Sequence, residues 1–207
     1  MKYAKIISTG KYVPENIITN KDLEKIVDTT DEWIFSRTGI KERRIAIEDN
    51  HQMATKAGLD ALSGSGIKPE ELDMIIVATM SSEYTCPSVS CLVQDAIGAE
   101  KAFCFDISAA CSGFLFALNT AEQYIKTGKA QNVLIIGSEK LSQLTNWEDR
   151  NTCVLFGDGA GAAVVVGSDE PGILDIVSHS VCSIYAFLIS EVNNNKNDFF
   201  EPKPDNY

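Results

Sequence analysis

Four short, largely apolar runs recur along the chain: Met74 to Thr79, Ala102 to Ile107, Val133 to Ile136 and Ala160 to Val166. A strand with one wet face alternates apolar and polar residues. These runs barely alternate, so each needs cover on both faces. Helical patterns lie between them. Ser88 is placed to cap a helix that ends near Gly98, and a second helix is expected from about Cys111 to Thr127, ahead of Gly128. Strand and helix in alternation predict an α/β fold with a mainly parallel, layered sheet. At 207 residues the chain is long enough to bury a substantial core within one domain.

The helix expected from Cys111 carries Phe114, Leu115, Phe116, Ala117, Leu118, Ala121 and Tyr124. It is apolar around most of its circumference and is expected to be buried. Its first residue falls just past a strand, at the carboxyl edge of the sheet, where open α/β folds bind ligands. The link Phe105-Asp106-Ile107-Ser108-Ala109-Ala110-Cys111-Ser112-Gly113-Phe114 passes through small residues, which permit a sharp turn and close approach by a ligand. Unpaired N–H groups at a helix start favour a thiolate and can stabilise an oxyanion, which makes Cys111 a candidate nucleophile. The competing reading is a buried thiol acting as a small hydrophobe. Cys104 and Cys153 are expected to be of that inert kind.

Charge and cysteine usage narrow the partners. A formal net charge of -11 repels phosphate backbones and anionic lipid, so neither nucleic acid nor a membrane is an expected partner. No secretory leader is recognisable in Met1 to Ile7, and no apolar run approaches 18 residues. The expectation is a soluble, cytoplasmic protein. Cys86, Cys91, Cys104, Cys111, Cys153 and Cys182 include no C-x-x-C pair, which fits reduced thiols better than disulfides or a metal site.

One basic island interrupts the acidic background: Arg37, Lys41, Arg43 and Arg44 around a single Glu42. Its simplest reading is a solvated loop. Just upstream, Thr29 and Glu32 have capping-box spacing, so a short helix is expected to begin there. Trp33 and Arg37 then share one face four residues apart, and one reading of the pair is a grip for a purine and phosphates. Core packing of Trp33 is the alternative. The segment from Phe156 to Ala162 is glycine-rich but lacks the Lys-Ser/Thr ending of a P-loop and precedes a strand, so its glycines are read as close backbone packing. Val192 to Tyr207, with Asn clusters and two prolines, reads as an exposed loop or frayed tail.

Taken together, Asp28-Thr29-Thr30-Asp31-Glu32-Trp33, Arg37-Thr38-Gly39-Ile40, Ala109-Ala110-Cys111-Ser112-Gly113-Phe114, Asp149-Arg150 and the Phe156 to Ala162 segment resemble the beta-ketoacyl-acyl-carrier-protein synthase III family of thiolase-fold condensing enzymes. The resemblance runs from Ile6 to about Ser180. It implies a thiolase-like layered α/β fold with the N-terminal half essentially complete, residues 1–175, and the C-terminal half largely missing, residues 176–207 being its start or a linker to it. The implied reaction starts fatty-acid synthesis: Cys111 takes an acyl group from acyl-CoA, with acetyl-CoA the expected primer, and malonyl-acyl carrier protein then decarboxylates and attacks the thioester. Trp33 and Arg150 would sandwich the coenzyme A adenine, with Thr29 and Arg37 as further contacts. Coenzyme A would be substrate and not resident cofactor, and the family assembles as homodimers.

Several residues depart from the family pattern. Cys86 stands where relatives often place a phenylalanine that reaches across the dimer interface to floor the partner's acyl pocket, and Asn151 stands where glycine is frequent. The Asp-Gly-Ser pattern expected between Val181 and Ser190 is missing. The sequence has two histidines, His51 and His179, in neither the His-Gln-Ala-Asn nor the Gly-Asn-Thr context of the family's second half. Impaired condensation is therefore expected. The alternatives are a non-catalytic or split-protein fragment that binds coenzyme A or dimerises, and a polyketide-type starter condensing enzyme.

Overall fold

The computed structural model describes residues 2–180. The tail from Val192, the Val181 to Ser190 stretch and Cys182 lie outside the described residues. In chain order the elements are β1 (Tyr3–Tyr12), β2 (Ile17–Thr19), α1 (Asn20–Leu23), α2 (Asp31–Thr38), β3 (Glu42–Arg44), α3 (Asn50–Ser65), β4 (Met74–Ala78), α4 (Val89–Ile97), β5 (Phe103–Ile107), α5 (Gly113–Lys126), β6 (Asn132–Lys140) and β7 (Asp158–Ser168).

Five strands form one sheet in the order β1-β7-β6-β4-β5. The apolar runs explain its middle. In β4, Ile75 and Val77 face one core while Met74 and Ile76 face another. In β6, Leu134 and Ile136 oppose Val133 and Ile135 in the same way, and β7 divides Ala162 and Val164 from Ala163 and Val165. Both faces are dry, so alternation had nothing to mark. Helices α3 and α4 cover the first face, and α5 covers the second through Ala117, Ala121 and Ile125. Each large side chain moved from water into these layers contributes roughly 1.5–3 kcal/mol.

The expectation of a mainly parallel sheet needs a correction. β4 pairs parallel with β5 and with β6, but β7 is antiparallel to both β6 and β1. Four strands point one way and β7 runs against them. The cause is the link after β6: a 3-10 turn at Leu141–Gln143 and a loop, with no crossover helix to carry the chain back.

Both ends of α4 follow the sequence signals, with the Ser88 hydroxyl accepting from Cys91 N–H and Gly98 closing the helix at φ 74°. Two helix starts move. The cap of α2 is Thr30, whose side chain accepts from Trp33 N–H at 3.1 Å, and not Thr29. Helix α5 begins at Gly113, because Ala110–Ser112 forms a 3-10 turn first. Nor is α5 buried all round: Leu115 is 58% exposed on its outer side.

A smaller unit, the antiparallel pair β2–β3 with α1 and α2, packs on its own cluster of Leu23, Ile34, Ile45, Trp147, Cys153 and Val154. Two buried polar anchors hold it. Arg43, read above as part of a solvated island, is 5% exposed and donates to Asn20 Oδ1 at 2.8 Å and to Val154 and Ile18 carbonyls. Asp158, in the glycine-rich segment, accepts from Ala46 N–H, Ser142 N–H and the Ser142 hydroxyl at 2.7 to 2.8 Å. Of that segment's glycines only Gly157 is tightly enclosed, since a Cβ there would come within 3.1 Å of the Arg44 carbonyl oxygen. Gly159 and Gly161 have ordinary room.

Candidate active site

β5 delivers the chain to Cys111 through a sharp turn. Ala110 has φ 44°, the left-handed region, at a cost of about 1–2 kcal/mol for a residue with a Cβ. Such strain concentrates at functional positions. Cys111 follows at once and is exposed, which sets aside the reading of a buried hydrophobe. Directly behind it Gly113 lets α5 press onto the sheet: a Cβ there would stand 3.0 Å from the Ala78 Cβ at the end of β4. With Ala117 and Ala121 this makes a small-residue stripe along the underside of α5. The thiol is thus held at the carboxyl edge of β5 by packing under the helix that follows it.

Asp106, one step before the end of β5, accepts from Val89 N–H and Ser90 N–H, both at 2.8 Å. A carboxylate at those first amides of α4 satisfies donors that have no partner within the helix. It also ties the elbow strand to the end of the 80–88 loop, where Cys86 is exposed.

A second group of residues forms on the smaller unit. The Arg37 guanidinium lies 4.5 Å from the Trp33 ring centre and the Arg150 guanidinium 4.7 Å from it. Trp33 is half-buried against the cluster beneath, so its core role and its exposed role coexist. Arg150 also reaches Asp28, at 3.5 Å. Arg150 Nε and the Thr29 hydroxyl are both shut from solvent without a hydrogen-bond partner among the described residues. Unmet polar groups beside a cation-crowded indole suit a ligand with both an aromatic ring and hydrogen-bonding groups. The chain thus brings together Thr29, Trp33, Arg37 and Arg150, which stand up to 121 positions apart in sequence.

Sequence reasoning missed one feature of this edge. Asn50, fully buried at the start of α3, donates to Thr79 Oγ1 at 2.8 Å and to the Ser81 and Ser138 carbonyls. Ser138 donates back to Asn50 Oδ1, and Ser81 donates to Glu139 Oε2. Glu139 also accepts from Met80 N–H at 3.0 Å. Burial pushes the Glu139 carboxyl above its ordinary value, with those hydrogen bonds opposing. The network fixes the start of the 80–88 loop. Its members come from three separate segments, at Asn50, Thr79 to Ser81 and Ser138 to Glu139, so no local spacing announces it.

Residues 105–181 match the family model for 3-oxoacyl-[acyl-carrier-protein] synthase III. The chain is 54% identical over 204 residues to the beta-ketoacyl-[acyl-carrier-protein] synthase III of Clostridium acetobutylicum, covering 98% of this chain and 63% of that one. It belongs to the beta-ketoacyl-acyl-carrier-protein synthase III family. The crystal structure of the Aquifex aeolicus synthase III superposes with a TM-score of 0.79 at 60% identity, over 81% of this chain and 55% of that one. A priming beta-ketosynthase of a polyketide pathway superposes at 0.81 with 39% identity, over 83% and 52%. The chain therefore spans a little over half the length of the synthase III relatives it matches. The matched model opens on β5 and takes in the Cys111 elbow, Arg150 and Asp158.

No helix among the described residues is long and apolar enough to cross a membrane. His51 is the second residue of α3, where its backbone N–H and ring Nδ1 meet Glu83 Oε1 at 2.7 and 3.2 Å. His179 is exposed after the last strand.

Proposed function

We propose that this chain carries the acyl-accepting chemistry of a beta-ketoacyl-acyl-carrier-protein synthase III, acting in the cytoplasm on acyl-CoA, with acetyl-CoA as the primer. The observation that carries the reading is an exposed Cys111 on a left-handed elbow at the carboxyl edge of β5. The Cys111 sulfur attacks the thioester carbonyl, the tetrahedral oxyanion collapses, and coenzyme A leaves as its thiol while the acyl group stays on sulfur. Trp33 and Arg150 sandwich the adenine, and Thr29, Arg37 and Arg150 Nε supply hydrogen-bonding groups toward the rest of the nucleotide. Stacking on the indole requires the two guanidinium groups to part. Coenzyme A is substrate here, not a resident cofactor.

In the whole protein the reading continues to a malonyl-acyl carrier protein, whose decarboxylation yields the carbanion that attacks acyl-Cys111. Residues 1–175 form the nucleophile-bearing domain in this reading, and the rest leads toward a second half. With His51 engaged by Glu83, this chain is expected to acylate well and condense poorly. Assembly is as a homodimer. Among the described residues β5 has a neighbour on one side only, and Phe103 on it is 42% exposed, so a second copy can extend the sheet. Cys86, exposed on the 80–88 loop, would then lie toward the partner's acyl pocket.

A second reading, a fragment that binds coenzyme A without acylation, is favoured by the exposed outer side of α5. Intact mass after incubation with acetyl-CoA separates the two. An added acetyl group that maps to Cys111 and vanishes in Cys111→Ser supports acyl transfer, whereas binding by a folded chain with no added mass supports the fragment. A longer or branched starter acyl group preferred over acetyl would move the assignment toward polyketide-type priming.

A further inference from the structure

Cys91 and Cys104 meet across the boundary between α4 and β5, their sulfurs 3.2 Å apart and both thiols free. Cys91 sits in the first turn of α4. Cys104 projects from β5 toward the same side: it packs on the core under α3 and α4, whereas its neighbour Phe105 packs on the core under α5. The contact is braced. Cys104 Sγ lies 3.5 Å from Gln94 Oε1, and the Gln94 amide in turn holds the Ala99 and Ala102 carbonyls at 3.2 and 2.6 Å. The Asp106 bonds to Val89 and Ser90 fix the helix start from the other end. A disulfide needs sulfurs about 2.05 Å apart, so closure asks for a little over 1 Å of approach.

We propose that Cys91 and Cys104 are a vicinal dithiol that closes to an intrachain disulfide by exchange with a low-molecular-weight disulfide such as oxidised glutathione. Cys91, in a helix first turn, is the attacking sulfur. Its thiolate displaces one glutathione thiolate, giving a mixed disulfide at Cys91. The Cys104 thiol then loses its proton to water, and its sulfur attacks Cys91 sulfur and expels the second glutathione. Two protein thiols are oxidised, one S–S bond forms, and one glutathione disulfide is reduced to two thiols. Burial, with the contact from Cys91 next, pushes the Cys104 thiol up to about 12, which suits a resolving partner that does not react on its own. It also makes Cys104 a poor leaving group, so the closed bond resists reopening.

The bond lies five residues past Cys86 and seven before Cys111. Closure replaces a hydrogen-bonded clamp between the loop-bearing helix and the elbow strand with a covalent one, and leaves the Cys111 thiol free. The reaction thus distinguishes a protected pair from an exposed nucleophile on the same strand-to-helix segment.

The test holds the reduced chain in glutathione buffers of increasing oxidised fraction, quenches with acid, alkylates and locates each cysteine by fragmentation mass spectrometry. The expected result is a mass loss of about 2 Da from two thiol hydrogens, with Cys91 joined to Cys104 and Cys111 still alkylated in the same molecules. Cys104→Ala is expected to trap glutathione on Cys91. Phenylarsine oxide, a dithiol probe, is expected to bind the unvaried chain one to one. Alkylation of both Cys91 and Cys104 under conditions that already glutathionylate Cys86 or Cys111 overturns the proposal. So does cross-linking that proceeds equally well in urea, where the fold no longer pairs the two sulfurs.

Discussion

The two faces of the central sheet are built from the same strands yet finished differently. Under α3 and α4 the cover is two helices deep in contacts: Ala54, Ala57 and Ala61 lie flat on the strands, and Gly10 lets α3 approach so closely that a Cβ there would fall 2.2 Å from the Ala61 nitrogen. Under α5 there is a single helix, small on its sheet side, with Leu115 turned outward. The first face is sealed and serves stability. The second carries the nucleophile at the start of its one helix and presents an apolar back, as a layer does when more protein is meant to pack on it.

The contrast can be broken at its strong side first. Ile136→Ala, at a fully buried position on the sealed face, is expected to cost about 2–5 kcal/mol, read as a fall in the urea midpoint at unchanged slope. Asp158→Asn comes next. It weakens three hydrogen bonds, one from Ala46 just past β3 and two from Ser142 in the turn after β6, and the expected loss is about 2 kcal/mol. Glu139→Gln acts through pH. Because burial raises the folded carboxyl above its ordinary 4.5, the native state binds the proton more tightly, so stability falls as pH rises through the window between the unfolded and folded values. Urea midpoints across that window are expected to show a smaller decline in the glutamine variant. Smallest of all is Leu115→Ser on the open face, expected within about 0.5 kcal/mol in urea and to reduce self-association in sedimentation. A loss as large as that of Ile136→Ala would mean the second face is sealed after all.

How legible this was depended on distance along the chain. Unbroken apolar runs located β4 to β7 because burial on both faces erases alternation, and Ser88 and Gly98 marked both ends of α4 because caps are local chemistry. The start of α2 was misread by one residue because Thr29 and Thr30 are both competent caps, and only the fold decides which hydroxyl meets the Trp33 amide. The reversal of β7 was hidden, since nothing in a strand's composition says which way it points. At the site, small residues betrayed the elbow, but Ala110, not a glycine, takes the left-handed conformation, and no propensity foretells that. The pairing of Trp33 with Arg37 was legible from their spacing of four, but Arg150 was legible only through the family resemblance, since 117 positions separate it from Trp33. The Asn50 network and the Cys91–Cys104 contact were not legible at all, being assembled from segments with no shared spacing.

The pairing of β1 with β7 has a consequence for how such a chain is made. The first strand leaves the ribosome with its partner about 150 residues behind, which at about 5–20 residues per second is a wait of roughly 8 to 30 s. Throughout that interval Ile6 and Ile7 travel on an unsatisfied strand, although both lie partly exposed even in the finished sheet. The strand therefore waits for its sheet partner longer than the nucleophile it supports takes to be translated.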